Sequence, residues 1–326
     1  MSKGQLPDKD SLRHNNGWAP PALKESLWCA GGLLFWLIVT ALFIGFRPEH
    51  IFMALLIAGL FYAAPTTRKL VVALIPFILF GISYDWMNLC HNYDVNPVDT
   101  IGLYSAEKSL FGITVADGII LTPNEFFALH TNPIVDFLAG CFYLCWVPLP
   151  IVFGLWLYFT RREAQYLHFA MVFLLVNLIG FTFYYIHPAA PPWYVANHGF
   201  VPVIGTQGET AGLAAFDRMT GLAIFDSLYA RNSNIFAALP SLHSAYTLVA
   251  LIYALRYRVS LAWRIVLAVV TLGIWFTAVY TSHHYIIDVA AGIATAVAGY
   301  LLFEYILMRW GAFRRFTERY AAYIKR

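Results

Sequence analysis

The sequence predicts an all-α, polytopic transmembrane helical bundle of about six to eight spans, and three observations carry that prediction. The chain of 326 residues is 60% hydrophobic and only 12% charged, and its mean hydropathy is +0.63, far above an ordinary soluble domain. Apolar runs of nearly bilayer length, about 20 residues each, begin near Leu27, Ile51, Leu70, Ile134, Leu167, Ser241, Leu261 and Tyr285. Lys and Arg alternate with those runs. The second run, 51–64, is short and stopped by Pro65, so a tilted, partial or interfacial helix is the alternative to a span there.

With the N-terminus inside, the inner loops hold 17 of the 21 Lys and Arg residues, and only Arg47, Lys108, Arg218 and Arg231 fall outside. Both termini are therefore expected in the cytoplasm. Residues 91–133 and 188–240, with the short turn 281–284, then share the outer side. The stretch "FGITVADGIILTPNEFFALH" within the first of them, apolar and acidic by turns, is expected to form a short helix along the membrane surface. The first apolar run follows about 26 polar residues without a small-residue cleavage pattern, and is read as a retained helix. Cys29, Cys90, Cys141 and Cys145 form no C-x-x-C pattern and read as small apolar residues. The outer loops carry no N-x-S/T sequon, which favours a bacterial inner membrane over a Golgi-type one.

Chemistry concentrates in two short stretches on that outer side. In "YTSHHYIIDVAAG" His284 and Asp288 are four apart, on one helix face. A carboxylate beside an imidazole fixes its tautomer and raises its basicity, leaving the other nitrogen free to attack or to take a proton. In "ALPSLHSAYT" Pro240 is expected in the first turn of a helix whose leading amides form an anion site. Ser241 would add a hydroxyl there, Leu242 a backbone amide, and His243 a group able to pass a proton.

These stretches resemble the second and third motifs, P-S-G-H and S-R-x5-H-x3-D, of the type 2 phosphatidic acid phosphatase superfamily, in order, spacing and membrane setting. The resemblance implies that His284 attacks phosphorus, Asp288 orients it, and His243 protonates the leaving oxygen. It further implies that Ser241 and the amides beside it hold phosphate oxygens, within a superfamily-type core in the C-terminal half of the chain. The first motif, K-x6-R-P, has no counterpart, since the outer end of the fifth span reads "FYYIHPAAPPWYV". Thr277 and Ala278 replace the Ser and Arg of the third motif, and Leu242 the Gly of the second. A phosphomonoester carries nearly two charges and calls for several cations, a phosphodiester one. The missing cations thus point to an intact phospholipid head group.

Within the superfamily, "PSLHS", "HHYIID" and the preceding "PPW" resemble the inositol phosphorylceramide synthases and related head-group transferases. That implies a phospholipid donor, phosphatidylinositol first among the choices, a ceramide-type acceptor, a phosphohistidine on His284, and diacylglycerol as by-product. No cofactor, metal or nucleic-acid partner is expected. Arg218 and Arg231 are candidates to supply phosphate charge. Asp85, in the outer half of the third span, and His91 beyond it are candidates to read the head group. The expected organisation is an N-terminal cytoplasmic tail, 1–26, then N-terminal helices with the surface helix, 27–133. A catalytic core, 134–310, and a basic cytoplasmic tail, 311–326, complete it. A lipid phosphatase with the same three residues, and a transporter or channel lined by them, are the competing readings.

Overall fold

A computed structural model describes residues 19–230 and 234–326. Two compact units are distinguished: residues 1–75 with 322–326, and residues 76–321. The first holds α1 (Leu23–Phe43), α2 (Pro48–Ala63) and α3 (Pro65–Ala73). Pro48 and Pro65 each take a first helical position, where their missing N–H costs nothing. The short second run is indeed a 16-residue helix that ends before Pro65. Arg68 is buried in this unit and bonds the carbonyls of Phe61 (3.3 Å) and Ala19 (2.8 Å).

The second unit opens with α4 (Ile75–Trp86), followed by α5 (Gly102–Phe111), β1 (Ile113–Thr114), β2 (Ile120–Leu121) and α6 (Pro123–Leu129). The expected surface helix is therefore largely replaced. Its first part is a two-stranded hairpin, Ile113 opposite Leu121, reversed through Gly118 in the left-handed region at φ +73°. Only its end is helical, started by Thr122, whose hydroxyl accepts from Glu125 N while Glu125 bonds back to Thr122 N.

Next come α7 (Pro133–Tyr143), α8 (Pro148–Phe159), α9 (Glu163–Ile186), α10 (Pro192–His198), α11 (Ala214–Thr220), α12 (Ile224–Tyr229), α13 (Leu242–Arg256), α14 (Leu261–Tyr280), α15 (Ile286–Leu301) and α16 (Gly311–Ile324). The C-terminal basic segment is thus helical, with buried Thr317 and Ile324 and part-buried Phe313 and Tyr320 on one face. Among the described residues four helices are long and apolar enough to cross a bilayer, or six if each of two bent pairs counts as one span. The eight apolar runs overstate the long spans because Pro and loop residues break several of them. The protein is a multi-pass membrane protein.

α13 lies among α8, α9, α14 and α15. Its start meets α15 at close range: Ser241 N donates to Asp288 O at 2.9 Å, and a Cβ on Gly292 would stand 2.1 Å from Ser241 O. Small residues permit such backbone approach in membrane bundles. At the far ends of the same helices Glu304, just beyond α15, accepts from Tyr253 (2.7 Å) and Arg256 (2.9 Å) of α13 and bonds His168 of α9 (2.9 Å).

The turn 281–285 joins α14 to α15. Ser282 is left-handed at φ +62°, a conformation that costs an L-residue about 1–2 kcal/mol. Its surroundings hold it there. His283 N and His284 N share Ala278 O, Trp193 N donates to Ser282 O, and Gly212 N to Thr281 O. The Thr281 hydroxyl proton goes to Thr277 O, so His283 Nδ1–H donates to Thr281 Oγ1 at 3.0 Å. Burial, reinforced by the neighbouring His284, pushes the His283 imidazole down to about 3 from an ordinary 6.5. Its effect on folding is nil above 6.5, where folded and unfolded chains are both neutral. As pH falls below 6.5 the unfolded chain gains a proton the folded one refuses, and stability drops until about 3.

Two outcomes are expected. Gly292→Ala should destabilise by about 1–3 kcal/mol through overpacking, whereas Gly59→Ala, where a Cβ meets nothing within 4 Å, should leave stability equal or raised. Thermal melts of the two variants in detergent, read by tryptophan fluorescence, check this. His283→Asn keeps a donor for Thr281 and cannot titrate. Its melting temperature should fall less than the wild type's between about pH 7.5 and about pH 5.5, and an equal fall would refute the assignment.

Candidate active site

Three extended segments fix the position of one carbonyl. Asp99, Ala189 and Ala237 pair in parallel, with Asp99 N bonded to Pro188 O, Ala190 N to Asp99 O, Ala189 N to Phe236 O and Ala238 N to Ala189 O. Ala238 O then lies 3.1 Å from His284 Nδ1. A carbonyl only accepts, so the network assigns the proton to Nδ1 and leaves Nε2 with its lone pair. Asp288 Oδ2 stands 3.5 Å from the same Nδ1 and accepts from Tyr285 N at 2.8 Å. Both residues are buried, His284 at 4% exposure and Asp288 at 0%.

His284 Nε2 faces His243 Nδ1 at 2.9 Å. Since Nε2 carries no proton, His243 Nδ1–H is the donor. The two imidazoles and the carboxylate predicted from separate segments therefore do converge, but the rings touch. A separation of 2.9 Å has no room for phosphorus with its oxygens, so the rings must part to admit one. His243 leans on aromatic faces, 4.9 Å from Tyr143 and 4.4 Å from Trp146 between centroids. The break between α7 and α8, bent by 43°, delivers both rings.

Ser241 is the N-cap of α13, fully buried, accepting from Ser244 N at 3.4 Å and from Ser244 Oγ at 3.1 Å. Pro240 therefore precedes the cap and does not enter the first turn. Leu242, in place of the expected glycine, opens the helix, and its side chain fits over Gly180 of α9, where a Cβ would meet it at 2.6 Å.

A cavity of about 330 Å³ opens beside His243, lined mainly by aromatic and aliphatic groups, among them Phe80, Tyr84, Tyr184, Tyr229 and Leu242. Neither Asp85 nor His91 lines it. Asp85 is half-buried in the last turn of α4, its carbonyl accepting from Asn88, and His91 pairs with Asp94 at 3.4 Å and stacks on Tyr93. Arg218 is exposed in the last turn of α11. Arg231 lies outside the described residues. Among the described residues no cluster of three or more His, Cys, Asp or Glu has the arrangement of a metal site.

Asn124 of α6 escaped the sequence reading. Buried, it donates to Val279 O (2.8 Å) and His284 O (2.9 Å), tying the turn that carries His284 to the segment 91–133. The "TPNE" capping pattern announced the helix, but nothing local announced its partner, 160 residues away.

Comparison with known proteins agrees with this geometry. The chain is 54% identical over 309 residues, 94% of its length and 100% of the relative's, to the phosphoinositol dihydroceramide synthase of Bacteroides thetaiotaomicron. It is 27% identical to the inositol phosphorylceramide synthase catalytic subunit of Saccharomyces cerevisiae over 76% of its length. The Candida albicans inositol phosphorylceramide synthase is 25% identical over 87%. The chain spans about three fifths of the length of each of these two yeast proteins. No solved structure matches it significantly. The PAP2 superfamily matches residues 119–302, which contain His243, His284 and Asp288, and the chain belongs to that superfamily.

Proposed function

We propose that this protein is a membrane transferase that moves phosphoinositol from phosphatidylinositol to the hydroxyl of a ceramide-type lipid, releasing diacylglycerol. The observation that carries this reading is the 2.9 Å approach of His243 Nδ1 to a lone-pair-bearing His284 Nε2, backed by Asp288. His284 Nε2 attacks phosphorus, the bond to the diacylglycerol oxygen breaks, and His243 gives that oxygen its proton. The acceptor hydroxyl then loses its proton to His243 and attacks the phosphohistidine, which restores His284. Asp288 and Ala238 O hold Nδ1–H throughout and stabilise the charge that develops on the ring.

The phosphodiester is met by the start of α13, where Ser241 caps only Ser244 N and at a long 3.4 Å, so the first-turn amide of His243 can turn to an anion, and that of Leu242 does so by leaving the Tyr184 hydroxyl. Arg231, between cavity-lining Tyr229 and Asn234 in the sequence, is the outer cation we assign to it, with Arg218 as its alternative. The apolar cavity beside His243 takes the lipid side of donor and acceptor, which places the head group toward the outer segment and keeps Asp85 and His91 as candidates to read it. On the loop charges, the site faces away from the cytoplasm and both termini lie within it.

Purified protein supplied with labelled phosphatidylinositol and dihydroceramide should form a phosphoinositol sphingolipid detectable by mass spectrometry. His284→Ala, His243→Ala and Asp288→Ala should each lower its rate at least about 100-fold. Release of inositol phosphate or inorganic phosphate at the same rate without ceramide would replace the transferase with a hydrolase. Full activity in all three variants would remove the site altogether.

A further inference from the structure

The first amides of α15 are bonded from outside their own helix. Glu107 of α5, 179 residues upstream, accepts from Ile286 N through Oε1 at 2.9 Å and stands 3.2 Å from Ile287 N through Oε2. Its exposure is 0%. Burying a carboxylate without partners is costly. Here two amides and the positive end of a 16-residue helix offset that cost. Glu107 neither lines the cavity nor contacts a histidine, so it has no direct part in the chemistry described above. Its helix is itself braced: Gly102 N bonds Asp99 Oδ1 at 2.6 Å, Asp99 pairs with His187 at 3.1 Å, and Tyr104 donates to Glu125 at 2.9 Å.

We infer that Glu107 is a positioning residue for the transfer: it pins the first turn of α15 to the outer segment and thereby sets where Asp288 and His284 stand relative to His243. The inference rests on the transferase reading. The geometry behind it is continuous. Asn124 holds the carbonyl of His284, Asp288 Oδ2 holds the amide of Tyr285, and Glu107 holds the next two amides, so consecutive residues from 284 to 287 are each fixed by one of three side chains. Two of those side chains come from the segment 107–124, which packs on the bundle from outside. Releasing Ile286 and Ile287 frees the turn on which the His284–Asp288 contact is built. A displacement of about 1 Å at a reacting group costs on the order of 100-fold in rate.

The test uses the full-length protein in nanodiscs, with phosphatidylinositol and dihydroceramide as substrates. Glu107→Gln keeps the length but offers one accepting oxygen for two amides, and Glu107→Ala offers none. The expected kcat per folded protein falls about 10-fold in the first and about 100-fold in the second, with KM for phosphatidylinositol within about threefold, because binding surfaces are untouched. Hydrogen exchange should quicken at Ile286 and Ile287 and stay unchanged across α13. Should Glu107→Ala fail to purify, Glu107→Gln carries the test through the same two readouts. A Glu107→Gln protein with wild-type kcat, or one whose whole loss lies in folded yield or in KM, overturns the inference while leaving the transferase intact. Wild-type protein that transfers no head group overturns the functional reading itself, whatever the variants do.

Discussion

The close meeting of two helix starts governs the rest of the molecule. Ser241 N bonds Asp288 O, and Gly292 lies directly beneath Ser241 O. Inside a bilayer-buried bundle no water relieves an unpaired amide, so this contact can neither slide nor open without loss. It places His243, two residues after Ser241, beside the turn that carries His284. The far ends of the same helices are held as firmly by Glu304, which gathers Tyr253, Arg256 and His168. Helices fixed at both ends behave as a rigid frame, and that frame keeps the backbones that carry the two imidazoles side by side, so a parting of the rings falls to their side chains.

Rigidity alone does not choose a tautomer. That choice comes from the segments 91–133 and 188–240, whose paired backbones at Asp99, Ala189 and Ala237 aim the carbonyl of Ala238 at His284 Nδ1. With the proton held there, the opposite nitrogen is obliged to be the lone-pair donor. Stretches that read as loops between membrane spans therefore decide the tautomer. The turn 281–285 shows the same dependence, since Trp193 and Gly212 of the 188–240 segment and Asn124 of the 91–133 segment all bond to its backbone or to its flanks.

What could be read from the chain follows from the range of the interactions involved. His284 and Asp288 declare themselves by a spacing of four on one helix, and "PSLHS" by a proline and a capping serine ahead of an apolar run. Those signals are local, and the positions they indicate are the ones that meet. Glu107 and Asn124 act across 155 to 180 residues, a relation no window of sequence contains. The surface helix differs for another reason: Gly118 supplies a left-handed turn and Thr122 a cap, and these divide a stretch whose mixed apolar and acidic composition by itself suggests one helix. Asp85 stood out because it is a carboxylate in an apolar run, yet its neighbours Tyr84 and Met87 line the cavity and it does not. In a helix adjacent positions face different ways, and composition cannot say which way.

The charge around the histidines also discriminates between substrates. Asp288 and Glu107 place two buried carboxyl groups at the start of α15, and among the described residues no Lys or Arg lines the cavity or pairs with either histidine. Lys108, one residue from Glu107, is occupied with the Tyr104 hydroxyl at 3.1 Å. A dianionic monoester brought beside those carboxylates would add repulsion in a medium that screens it poorly. The amide dipoles of one helix start, worth a fraction of a charge, are matched to a monoanion. The α15 start is consumed by carboxylates, which leaves the loosely capped α13 start as the one proposed above for a phosphate. Electrostatics thus suits the diester of the proposed reaction better than a monoester, and in that proposal the group left on His284 still carries its head group, which only a second alcohol or water can remove. The cavity wall beside His243 is mostly apolar, so a lipid alcohol is the better-matched visitor.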